Sequence, residues 1–262
     1  MRVVRLLAVV LACAFAAPAH ATSWSTDISD LWWVPTESGW GMQIVQTYDQ
    51  SFVTIYVYRP DRTPVWYSAL IKGPIANMTG DLYETRGGYF GDEFSFILAP
   101  TTNRKVGTLT FSHINQFAAT VTYSVDGVNV RKRIERQPVG VENHAGVFRG
   151  GASVMRVSGT CAPFPLGRGQ VGEVEIVQPN RGTAMAVTLR IGTESCSMPL
   201  GDYIQNGRFG DVEGAAQCAN GTSGSLYVYE MRTSFDTLTA RFEYENVLTG
   251  CKLDGDFAGV RM

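Results

Sequence analysis

Phe117-Ala118-Ala119-Thr120-Val121-Thr122-Tyr123-Ser124-Val125-Asp126-Gly127-Val128-Asn129-Val130-Arg131-Lys132-Arg133-Ile134-Glu135-Arg136 reads as two strands folded back on Asp126-Gly127. A two-residue type I′ hairpin needs positive φ at both central positions, and Asp-Gly tolerates that. Val, Thr, Tyr and Ile alternating with polar residues suit a half-buried pleat, so strands are predicted at Phe117 to Val125 and Val128 to Arg136. Upstream the rhythm recurs at Leu31 to Val34, Trp40 to Tyr48, Phe52 to Tyr58, Pro64 to Ile71, Gly80 to Thr85, Glu93 to Leu98 and Lys105 to Phe111. Consecutive strands with short links and no long amphipathic helix predict an all-β antiparallel meander. Closure into a barrel, or a strongly curled sheet, is expected because it removes exposed edges.

Downstream, residues 138–146 form a short linker broken by Pro138 and two glycines, which bounds a first domain at 22–137. A second all-β domain is expected over 147–262. Its strand candidates are Val147 to Gly159, Gly172 to Gln178, Ala184 to Ile191, Ser225 to Met231, Leu238 to Glu245 and Lys252 to Val260, with Asn206-Gly207, Asn220-Gly221 and Asp254-Gly255 as turns.

Residues 1–21 read as an export signal: Arg2 and Arg5, an apolar run from Leu6 to Ala17, then Ala19-His20-Ala21 as the cleavage pattern. The alternative is lipidation at Cys13, within Val10-Leu11-Ala12-Cys13. No later run approaches the roughly 20 apolar residues of a membrane-spanning helix. A periplasmic or extracellular location follows. Loss of the signal removes two arginines from 22 basic residues against 24 acidic ones, for a net charge of 20 − 24 = −4. Nucleic acid is therefore disfavoured as a partner, and the one basic cluster, Arg131-Lys132-Arg133 with Arg136, divides its charge between two strand faces.

Cys161, Cys196, Cys218 and Cys251 all lie in the second half. An even number in an exported chain predicts two disulfides, and no spacing suits zinc, so neither metal nor cofactor is expected. Three pairings are open. The nested one, Cys196 with Cys218 inside Cys161 with Cys251, is preferred.

Motifs that imitate enzymes fail on context. Gly167-Arg168-Gly169-Gln170-Val171-Gly172 spells a dinucleotide fingerprint, but a proline-rich segment precedes it and a strand-like one follows, which predicts a flexible loop. Ser38 in Glu37-Ser38-Gly39-Trp40-Gly41 lacks the glycine a nucleophile elbow needs where Thr36 stands. His113 and His144 belong to no triad-like arrangement and are expected at the surface or in turns. Carboxylate pairs (Asp30 and Glu37, Asp92 and Glu93, Glu173 and Glu175) leave a glycosidase-like hydrolase as the third reading, with no catalytic residue assigned.

All five tryptophans, Trp24, Trp32, Trp33, Trp40 and Trp66, fall within residues 24–66. Along one strand Val53, Ile55 and Val57 share a side while Phe52, Tyr56 and Tyr58 share the other, so both sides are apolar. One side fills the interior; burial of the other under the second domain is the favoured expectation, and an exposed interaction patch the alternative.

Asp30-Leu31-Trp32-Trp33-Val34-Pro35-Thr36-Glu37-Ser38-Gly39-Trp40-Gly41, then Tyr56-Val57-Tyr58, Pro64-Val65-Trp66-Tyr67, Gly107-Thr108-Leu109-Thr110-Phe111 and the hairpin Val121 to Arg136 with its basic second strand, resembles a family of uncharacterised exported proteobacterial proteins opening on W-W-x-P-x-E-S-G-W-G. The resemblance covers about residues 30–137 and implies an exported β domain, without any activity. A looser likeness in architecture is to avidin and lipocalin meander barrels. The function expected is non-enzymatic binding of a sugar, peptide or small apolar ligand through an aromatic face built from Trp32, Trp33, Trp40, Trp66 and Tyr67. The alternative is an envelope structural, protein-interaction or inhibitor module whose aromatics are core.

Overall fold

The computed structural model describes residues 27–88, 91, 101–159, 164–179 and 182–262. These residues form two closed antiparallel barrels, each an eight-stranded meander in sequence order. The first comprises β1 (Asp30–Trp33), β2 (Gly41–Gln46), β3 (Gln50–Tyr58), β4 (Pro64–Lys72), β5 (Met78–Arg86), β6 (Thr102–His113), β7 (Ala118–Val125) and β8 (Val128–Arg136). The second comprises β9 (Gly146–Ser158), β10 (Gly167–Val177), β11 (Ala184–Ile191), β12 (Glu194–Asn206), β13 (Phe209–Cys218), β14 (Ser223–Ser234), β15 (Thr237–Asn246) and β16 (Cys251–Arg261). Closure is by β1 on β8, where Trp32 faces Arg136, and by β16 on β9.

The Asp126-Gly127 turn is as its residues demand, with φ of 48° and 86° and Val125 paired to Val128. The expected strand Glu93 to Leu98 lies outside the described residues. Two strands not expected, β12 and β13, supply one quarter of the second barrel; the Asn206-Gly207 turn that joins them was anticipated. The Gly167–Gly172 stretch is not a loop but the start of β10, paired to Gly150, Gly151 and Ala152 of β9 with an irregularity between Gly167 and Gln170. Positive φ at Gly167 and Gly169 lets the strand absorb that irregularity.

Each barrel has its own core, one built around Trp32, Met42, Ile44, Ile55, Leu82 and Phe111, the other around Phe148, Met185, Val212, Leu226, Phe242 and Leu253. These core residues point inward and charged ones such as Arg131, Arg133 and Lys105 point outward, while some apolar residues, among them Phe52 and Leu70, also face out. A barrel that crosses a bilayer has the reverse arrangement. No helix among the described residues is long and apolar enough to cross a membrane.

Cys196 and Cys218 face each other on β12 and β13 and form a disulfide. Cys251 is disulfide-bonded as well, and Cys161, its expected partner, lies outside the described residues. Such bonds persist in an oxidising compartment, which fits an exported or envelope location.

In a meander barrel alternate turns lie at opposite ends. The end of the first barrel that holds residues 27–29, the β6–β7 turn and Arg136 meets the second barrel. There the Arg136 guanidinium donates to the Asp30 carboxylate (2.9 Å), to the Asp27 carbonyl (2.6 Å) and, through Nε, to the Gln116 carbonyl (2.6 Å). It lies between the rings of Trp32 and, from the second barrel, Phe209. Arg208 reaches back to Asp27, and Gln116 donates to Asp211. The close approach requires Gly207: a Cβ there would sit 2.6 Å from the Asp30 carboxylate and 2.8 Å from Arg136 Cβ.

Candidate functional site

The opposite end of the first barrel carries the β1–β2, β3–β4 and β7–β8 turns. The alternation of β5 continues inward from Leu82 to Glu84, which puts a carboxylate at an interior position. Burying it without partners would be costly. Three arginines supply partners: Arg59 Nη2 at 2.7 Å and Arg86 Nε at 2.8 Å on Oε1, and Arg104 Nη2 at 2.8 Å on Oε2. Arg104 also pairs with Asp126 of the hairpin turn. Hydrogen bonds from Arg104, then from Arg86, hold the Glu84 carboxyl down at about 2. A cleft of about 410 Å³ opens beside this cluster, lined by Arg59, Pro64, Val65, Trp66, Glu84 and Arg86 among others.

Trp66 connects that cleft to the outer wall. On β2, β3 and β4 the outward residues form cross-strand rows set by register: Val45 with Phe52 and Leu70, Gln43 with Thr54 and Ser68, and Tyr56 with Trp66. Phe52 is 50% exposed and Trp66 54% exposed, so the second barrel does not cover this wall. Its burial beneath that barrel, the favoured expectation, is therefore overturned. The barrels meet end to end through polar turns, and that geometry leaves the walls free.

The five residues expected to share one aromatic face do not come together. Trp32 is fully buried, edge-on to Phe111, its indole N–H donated to the Ile28 carbonyl. Tyr67 is 6% exposed and points inward, where burial, then the nearby Glu84 charge, raises its phenol pKa. Trp40 is half-buried against the first core, donating to the Tyr123 hydroxyl at 3.0 Å beneath Lys132, which pairs with Glu37. Trp33 is half-buried at the end of β1, next to Trp32 on the opposite face. Only Trp66 presents a largely open ring. The residues that accompany it, Phe52, Tyr56, Leu70 and Arg59, were legible as outward positions of β3 and β4 and as a turn arginine, but not as neighbours.

The carboxylate pairs considered for hydrolysis are ion-paired: Asp30 with Arg136, Glu37 with Lys132, and Glu173 with both Arg149 and Arg190. Asp92 and Glu93 lie outside the described residues. A carboxyl raised by burial is found instead at Asp211, in a second cleft of about 590 Å³ along β12–β14 that also touches Phe117. Both its oxygens are engaged, one by the Glu230 N–H and the other by Tyr227 and Gln116, so it ties the barrels together.

The histidines depart from expectation. His144 is fully buried at the near end of the second barrel, its backbone N–H donated to Gln178 and its ring nitrogens hydrogen-bonded to Thr233 and Tyr203. Burial lowers its pKa to about 4. His113 is half-buried beside Phe111, and burial, then the Arg136 charge, lowers it to about 4. Neither stands beside a nucleophile in either cleft.

No protein-family model matches the chain, and no curated protein is similar to it. Among solved structures, the chain is similar to a crystal structure of a proposed outer membrane protein from Bacteroides fragilis. The two are 15% identical over 81% of this chain and 89% of the other, with a TM-score of 0.33.

Proposed function

We propose that the protein is an exported, non-enzymatic saccharide-binding protein of the periplasm or cell exterior, whose ligand lies along the outer wall of β2–β4 and not inside the barrel. The observation that carries this is the exposed Tyr56–Trp66 pair beside the Gln43, Thr54 and Ser68 row. Aromatic faces take the C–H faces of a sugar, while adjacent amide and hydroxyl groups serve its hydroxyls. A filled interior argues against a lipocalin-like cavity. The apolar Val45–Phe52–Leu70 row favours a second reading, a flat contact with a folded protein.

Intrinsic-fluorescence titration with soluble neutral oligosaccharides and with peptides tests the proposal. A saccharide is expected to shift the emission, and Trp66→Ala to abolish the shift while changing stability by under about 1 kcal/mol, as for an exposed side chain. Trp32→Ala, in contrast, is expected to cost about 3 to 5 kcal/mol. A wall that responds to peptides alone transfers the assignment to protein binding, and no response to either class refutes both readings.

A further inference from the structure

Glu84 uses three guanidinium groups where one would satisfy a carboxylate. Among the described residues, Arg59 and Arg86 each give it a single nitrogen, Nη2 and Nε respectively. The rest of both planar forks is left for another acceptor. Three arginines share two carboxylates, Glu84 and Asp126, so these ion pairs leave one positive charge uncompensated. Asp61, on the turn beside Arg59, accepts from the Thr63 N–H and hydroxyl and makes no ion pair with Arg59, although its charge lies near enough to offset part of that of Arg59. Glu84 itself is 4% exposed; it therefore acts as an anchor that orients the arginines and is not open to a ligand. Arg59 and Arg86 both border the 410 Å³ cleft, a volume within the range of small-ligand sites, and Trp66 forms its wall.

From this arrangement we infer that the cleft takes the carboxylate of an acidic saccharide, with the sugar ring against Trp66 and its carboxylate on the outward nitrogens of Arg59 and Arg86. Guanidinium forks match planar carboxylates, and their preorganisation by Glu84 lowers the entropic cost of binding. The stacking surface and the hydroxyl-bearing row that continues from it favour a sugar over an acidic peptide. The inference rests on the saccharide reading and names the class of sugar.

The experiment compares binding of a short oligogalacturonate with that of its methyl ester, which removes the charge and adds one methyl group per carboxyl, by calorimetry on the full exported chain. The acid is expected to bind at least about tenfold more tightly at low salt, with the preference shrinking as salt rises. R86Q, at a side chain 73% exposed and with Arg59 and Arg104 still paired to Glu84, is expected to remove most of that preference by weakening the acid far more than the ester. W66A is expected to weaken both. Equal affinities of acid and ester, or a preference that survives R59Q/R86Q, overturn the inference. So does equally effective competition by inorganic phosphate or oligoglutamate, which would make the cleft a general anion or acidic-peptide site. If the ester and neutral sugars bind through the wall without preference for the acid, the wall reading stands and the acidic-sugar inference falls. If the acid binds but F52S and Y56A leave it unchanged, the cleft stands and the wall falls. Binding of none of these sugars ends both.

Discussion

Replacing Arg136 with methionine keeps most of the side-chain stem but removes the buried positive charge that β8 places in the junction. The Arg136 side chain is 1% exposed and that of its partner Asp30 8%, so the pair is buried. Breaking a buried ion pair from one side costs about 3 to 5 kcal/mol, because the remaining charge is stranded; here Arg208, 3.9 Å from Asp30, offsets only part of that loss. The Asp27 and Gln116 carbonyls also lose their donor, each at up to about 1 to 3 kcal/mol if water does not reach it. These terms overlap, so the expected loss for R136M is at the upper end, about 4 to 5 kcal/mol, or roughly three powers of ten in the folded-to-unfolded ratio. Adding D30N removes the stranded charge and is expected to recover at least about 1 kcal/mol, since neighbours in one network couple by about 0.5 to 3 kcal/mol. Urea unfolding, followed by tryptophan emission, measures this barrel selectively because every tryptophan lies in the first half of the chain. A loss below about 1 kcal/mol for R136M, or strict additivity in the double variant, would refute the reasoning.

Gly207→Ala forces a Cβ against Asp30 and Arg136 at a residue with φ of 61°, and is expected to loosen the junction and speed proteolytic cutting within residues 137–145. Unchanged cutting would mean the turn yields without cost. His144 titrates at about 4 in the folded chain against 6.5 in the unfolded one, so the unfolded state takes up the proton first as pH falls. Stability is therefore lost between about pH 6.5 and 4 by up to about 3 kcal/mol, and H144Q is expected to flatten that slope in denaturant midpoints measured across the window. Glu84 acts in a separate window: its depressed pKa contributes stability that disappears as pH drops from 4.5 towards about 2. The Cys196–Cys218 bond spans 22 residues, and removing it with C196S/C218S is expected to cost about 3 kcal/mol in the second barrel while leaving tryptophan-detected unfolding of the first unchanged.

How far the fold could be read depended on how cleanly each strand alternates. β7 and β8 alternate around a turn that only a few dipeptides tolerate, and they form as read. β12 and β13 escaped because Pro199, Gly201, Gly210 and Gly214 interrupt their alternation; register shifts between Ser197 and Asp202 and between Gly210 and Val212 absorb the interruptions. A bulge of this kind flips which residues face inward, so period-two reasoning fails where the chain uses one. The buried histidine was missed for a related reason: His144 lies in a connecting segment, and nothing in Asn143-His144-Ala145 signals that Thr233 of β14, Tyr203 of β12 and Gln178, just past β10, converge on it.

The candidate site shows the same limit from another side. Adjacent residues on a strand face opposite ways, so Trp32 and Trp33, or Trp66 and Tyr67, cannot share a face however strongly their sequence proximity suggests it. Of each pair, one ring packs the core and the other is left to the surface or the edge. What joins Trp66 to a site is cross-strand register, which sets Tyr56 opposite it, together with the inward carboxylate of Glu84, which gathers arginines from β5, β6 and the β3–β4 turn. Neither relation follows from aromatic density. The inward glutamate was the available signal: a carboxylate at a core position of a strand must recruit cations, and where it recruits more than it needs, the excess is left at the surface beside whatever ring stands next to it.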